Sequence, residues 1–209
     1  MNTPKQVYVV PRWGGSPSDD WYPWLKRELE AGGSAAAADY QVHLLNMPAW
    51  DTPVIERALT YLTEVLPVER LNKDVFLVGH SVGCLSILHY LAQMAAQYPA
   101  DPPQIGGVVC VAGWFSIDSP WQEVLNWMHA PIDYEAARRL IPKDKLVVLL
   151  SDDDPYTSEY QENEQLWVER LQARVQTIPD RQHFSSQLDA DVLYAIQDLA
   201  GALPDTIYL

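Results

Sequence analysis

At 209 residues, with 14 Lys plus Arg against 28 Asp plus Glu, the chain carries a formal charge of −14 and repels phosphate backbones and anionic lipid surfaces, which excludes nucleic acid and membranes as partners. An apolar fraction of 48% over this length describes one domain that buries roughly 70% of its unfolded surface without disulfide or metal staples. Cys84 and Cys110 lie in apolar segments with no second Cys or His at zinc-site spacing, so both read as reduced core thiols and no metal or cofactor is expected.

In chain order, the first ten residues hold one Lys and an apolar run too short for a signal-peptide core. No later stretch reaches the roughly eighteen apolar residues of a membrane span, so a soluble, cytoplasmic protein is expected. A strand over 6–10 (QVYVV) leads into a turn at Pro11, Arg12, Trp13, Gly14 and Gly15 and then a helix over 21–31. The tract 32–38 (GGSAAAA) reads as a surface loop. A strand over 41–45 and a helix over 53–66 follow, then a strand over 75–78 (VFLV), a helix over 82–97 and a Pro-rich loop over 98–107. The fourth strand covers 108–112, the fifth 146–150 and the sixth 175–178, with helices over 160–173 and 190–203. Short β-branched runs alternating with helical periodicity predict an α/β fold: a compact three-layer α/β/α sandwich with six parallel strands, the first lying between the second and the third.

One connection is longer than the alternation requires. Residues 113–143 form an aromatic-rich insertion that carries Trp114, Phe115, Trp121, Trp127 and Met128. It follows the carboxyl end of a strand, where open α/β sheets bind their ligands, and 8 Trp with 11 Tyr in the whole chain suit an aromatic-lined cavity. Trp114 and Phe115, immediately after the strand, are the candidates to line it.

Gly79, His80, Ser81, Val82 and Gly83 spell G-x-S-x-G between a buried strand and a helix. A nucleophilic serine needs a strained turn that exposes its hydroxyl, and glycines two residues to either side let neighbouring backbone pass. The Val82 amide, at a helix N-terminus, is then a donor for a developing oxyanion. The second donor is expected from the loop after the first strand, at Trp13, with Arg12 and His80 as further candidates for contact with substrate.

A serine hydroxyl also needs a base, held in one tautomer by a carboxylate. The order serine, acid, histidine is met by Asp152, Asp153 or Asp154 after the fifth strand and by His183 after the sixth. His43, His89 and His129 lie elsewhere along the chain, and His80 precedes the serine.

These residues resemble the small serine hydrolases of the retinoblastoma-binding protein nine and YdeN-like type, within the α/β-hydrolase superfamily. The likeness rests on the Trp-Tyr-x-Trp-Leu-Lys-x-Glu-Leu helix from Trp21, on Asn46-Met47-Pro48, on Gly79-His80-Ser81, on the aspartate run before Pro155 and on His183-Phe184. It implies a single hydrolase domain over 1–209 with little or no cap, and it places the acid at Asp154, the aspartate directly before proline. Two departures stand out: Arg12 replaces the usual glycine, and the Trp-rich insertion is individual. The expected activity is hydrolysis of a small ester or amide through Ser81, His183 and Asp154. Acyl transfer by the same residues, or a binding module with a protein partner on the same fold, are the alternatives.

Overall fold

The computed structural model describes residues 3–31 and 39–202. The loop expected over 32–38, and the last residue of the expected C-terminal helix, lie outside the described residues. Six strands form one sheet: β1 (Lys5–Val10), β2 (Tyr40–Leu44), β3 (Val75–His80), β4 (Gly107–Val111), β5 (Leu146–Ser151) and β6 (Arg174–Ile178). Every pairing is parallel and the order is β2-β1-β3-β4-β5-β6, with the first strand between the second and third.

Strand alternation divides the core in two. Val7, Val9, Phe76 and Val78 pack on one face beneath α1 (Tyr22–Glu30) and α7 (Ala190–Leu199). Tyr8, Val10, Leu77 and Val148 face the other way, towards α2 (Ile55–Val65), α3 (Val82–Gln97) and α6 (Tyr160–Leu171). Burial on both faces explains why these strands read as continuous apolar runs. Helix α3 carries little polar surface and is buried along most of its length, so the turn at its head is anchored in the core.

Two differences from the sequence expectation bear on the site. Strand β3 does not stop at Val78: Gly79 pairs with Val10 and Cys110, and His80 with Val111, so the sheet continues to the residue before Ser81. The segment 113–143 contains two short helices, α4 (Gln122–His129) and α5 (Tyr134–Leu140), that the aromatic run obscured. Helix α5 is capped by the Asp133 carboxylate on the Ala136 amide and packs along α3 as the ordinary crossover between β4 and β5. Among the described residues no helix is long and apolar enough to cross a membrane.

Candidate active site

Ser81 sits at φ 56 and ψ −121, a conformation that costs a non-glycine residue about 1–3 kcal/mol and persists only where the surroundings impose it. The surroundings are specific. The Ser81 amide donates to the Val111 carbonyl at 2.8 Å, which ties the turn to β4. A Cβ on Gly79 would stand 2.7 Å from the Cα of Cys84, and one on Gly83 would strike the carbonyl oxygen of Val10. Both glycines are therefore required for the backbone to close on itself here. Val82 opens α3, so its N–H is among the first-turn amides that lack an intrahelical acceptor.

The loop after β1 is fixed from three sides. Tyr22 Oη accepts the Arg12 amide at 3.0 Å, and the Trp50 indole N–H donates to the carbonyls of Arg12 and Pro11 at 2.7 and 3.2 Å. The Gly14 and Gly15 amides go to the Trp50 and Arg12 carbonyls, which leaves the Trp13 amide without an acceptor among the described residues. The Arg12 guanidinium is engaged by the buried Asp20 carboxylate, Nε to Oδ2 at 2.7 Å and Nη2 to Oδ1 at 3.3 Å, and Nη1 donates to the Trp13 carbonyl.

The three aspartates after β5 hold the turn after β6 like successive rungs. Asp152 Oδ1 accepts the Asp180 amide at 3.2 Å, Asp153 Oδ1 accepts the Gln182 amide at 2.6 Å, and Asp154 Oδ2 meets His183 Nδ1 at 2.7 Å. Hydrogen bonds from the Ser151 hydroxyl and the Gln182 amide hold the Asp153 carboxyl below the usual aspartate range. Asp180, Gln182 and Phe184 all have positive φ, so this turn is strained and depends on the rungs. A carboxylate only accepts, so the proton of a neutral His183 ring sits on Nδ1 and Nε2 keeps its lone pair. Asp154 and His183 are both largely shielded from water, which strengthens the pair.

Ser81 and His183 line one cavity of about 240 Å³ together with Arg12, Trp13, Trp114, Trp121 and Tyr156. Trp121 packs edge-on against Trp13 at 5.4 Å, and the Tyr156 ring lies 4.6 Å from that of His183. Sequence reasoning missed Trp121 and Tyr156 as lining residues; the position of Tyr156, two residues past Asp154 and just after Pro155, was the available signal. Two expected contacts are not brought to the cavity. Phe115 turns away to pack on Trp167 at 4.5 Å, with the Arg170 guanidinium over its face. His80 is fully buried behind the turn, so substrate does not reach it. Among the described residues no group of three or more His, Cys, Asp or Glu could hold a metal ion.

Comparison with known proteins adds four findings. The family model described as serine hydrolase matches residues 7–191. The YdeN protein of Bacillus subtilis (strain 168) is 34% identical over 122 residues, a match that covers 58% of this chain and 57% of that protein's length. The crystal structure of the B. subtilis ydeN gene product superposes with a TM-score of 0.76 at 24% identity, covering 94% of this chain and 99% of the other. Est1E from Butyrivibrio proteoclasticus, with ferulic acid bound, gives 0.66 at 12% identity over 95% and 88% of the two chains. At such identities the two structural likenesses bear on the fold, which is that of the α/β-hydrolases.

Proposed function

This chain belongs to the serine hydrolase family, and from that premise we propose that it cleaves a small ester or amide through Ser81, His183 and Asp154 by way of an acyl-enzyme. Hydrolase activity is the family's; the assignment of bond and residues is our reading. The observation that carries it is the Asp154–His183 hydrogen bond of 2.7 Å, made by an imidazole that shares one cavity with a serine on a strained turn.

In this reading Ser81 Oγ attacks the substrate carbonyl while His183 Nε2 takes its proton. Asp154 holds the Nδ1–H tautomer and stabilises the imidazolium. The amides of Val82 and Trp13 receive the oxyanion, and their preorganisation is worth about 3–4 kcal/mol per donor in comparable sites. His183 then protonates the leaving group, and the same steps with water release the acid.

The cavity sets the size of the substrate. At about 30 Å³ per water, 240 Å³ holds roughly eight waters, room for a small acyl group. Its walls are four aromatic side chains, and its one cation is already paired with Asp20, so a neutral, flat or short acyl group fits better than a carboxylate.

The test is labelling by a fluorophosphonate together with turnover of a short p-nitrophenyl ester. Ser81→Ala is expected to lose both while retaining the fold by circular dichroism. Labelling that persists in that variant overturns the proposal.

A further inference from the structure

His80 and Tyr22 take no part in the chemistry described above, yet both are buried beside it. The hydrogen-bond roles of His80 follow from its partners. Its Nε2 lies 2.7 Å from the backbone carbonyl of His183, and a carbonyl only accepts, so Nε2 carries the proton. A neutral ring has one proton, so Nδ1, 2.7 Å from Tyr22 Oη, must accept from the phenol. The phenol oxygen in turn accepts the Arg12 amide at 3.0 Å.

The ring is held neutral by its surroundings. Burial pushes its pKa well down, and electrostatic repulsion from the neighbouring His183 ring and the Arg12 guanidinium pushes the same way, against the pull of the hydrogen bond to the His183 carbonyl. The carboxylate in reach, Asp20 at 3.9 Å from Nδ1, is engaged by the Arg12 guanidinium at 2.7 Å. Trp21 and His183 cover the ring, with centroids at 5.6 and 5.3 Å.

Three hydrogen bonds therefore run in one direction: Arg12 N–H to Tyr22 Oη, Tyr22 O–H to His80 Nδ1, His80 Nε2–H to the His183 carbonyl. The backbone groups at its two ends, and the histidine between them, are each at or next to a group of the proposed mechanism. Arg12 precedes Trp13, His80 precedes Ser81, and the last carbonyl belongs to His183 itself. We propose that Tyr22 and His80 are positioning residues, which lock the oxyanion loop, the serine turn and the base to one another through this buried chain. The inference rests on the triad reading, because it gives the chain something to position.

Tyr22→Phe keeps the ring and removes the oxygen, which breaks two of the three bonds and leaves the Arg12 amide and His80 Nδ1 without partners. Loss of alignment acts on the transition state more than on substrate binding. The expected result is a fall in kcat of about tenfold to hundredfold, with KM within about twofold of wild type. Nitrogen-15 NMR of the unaltered protein at about pH 7 is expected to show His80 as the neutral Nε2–H tautomer. Turnover of Tyr22→Phe within about twofold of wild type overturns the proposal, as does an Nδ1–H or charged His80 in the spectrum; the spectrum decides even where the variant does not fold. If the wild type lacks Ser81-dependent turnover, it is the triad reading that fails, and the two outcomes are distinct.

Discussion

The indole N–H of Trp114 donates to Oγ of Ser81 at 3.4 Å from a ring that is itself buried. In the proposed mechanism a serine oxygen that accepts this bond keeps its own proton available for His183, and the same donor would face Oγ as it departs from the acyl-enzyme. Charge on that oxygen would be stabilised in both steps. Trp114→Phe is expected to lower kcat about tenfold and to make deacylation limiting. Stopped-flow hydrolysis of an activated ester would then show a burst of alcohol followed by slow turnover. A single phase at the wild-type rate sinks the idea.

Trp121 closes the cavity from the insertion, between Trp13 and Tyr156 at 5.4 and 6.3 Å, and is only half-buried. Trp121→Ala should lengthen the pocket without much effect on the core. Across a series of p-nitrophenyl acyl esters, kcat/KM for hexanoate relative to acetate is expected to rise about tenfold. An unchanged chain-length preference would mean that another wall sets the limit.

His80 also shapes the pH dependence of stability. Its folded pKa lies below the ordinary histidine value of 6.5, so beneath that pH the unfolded chain binds a proton that the folded chain refuses. Stability from this residue is present above 6.5 and is lost as the pH falls, by up to about 1.4 kcal/mol per pH unit. His43 and His89 are depressed by burial too and add to the same trend. Urea unfolding at pH 7, 6 and 5 is expected to give a shallower slope for His80→Gln than for wild type, with the slope from the other two left in place. Equal slopes would place the proton elsewhere.

The sheet was legible because its strands are buried on both faces: runs such as VFLV and LVVLL leave no other arrangement for so much β-branched apolar surface. The motif at Ser81 was legible because its glycines stand at fixed offsets from the serine; the demand at Gly79 is local, against Cys84, whereas that at Gly83 comes from the Val10 carbonyl. What escaped was set by distant neighbours. Phe115 and Trp114 are adjacent in sequence, and which of them faces the cavity depends on Trp167 and Arg170, some fifty residues on. The roles of Asp152 and Asp153 were hidden likewise, since their partners are amides of a turn whose conformation no propensity describes. Helices α4 and α5 are short, and a cluster of tryptophans blurs the apolar period that would announce them.

Strand β6 lies at one edge of the sheet and is only half-buried, and the turn that it feeds bears His183. Ser81, by contrast, directly follows the fully buried β3 in the middle. The two halves of the proposed reacting pair thus stand on ground of unequal firmness, and warming should detach His183 from Asp154 while Ser81 stays seated. Such a protein goes silent before it melts: amide exchange across 174–183 would quicken at temperatures where 75–81 is still protected, and cooling would restore the activity.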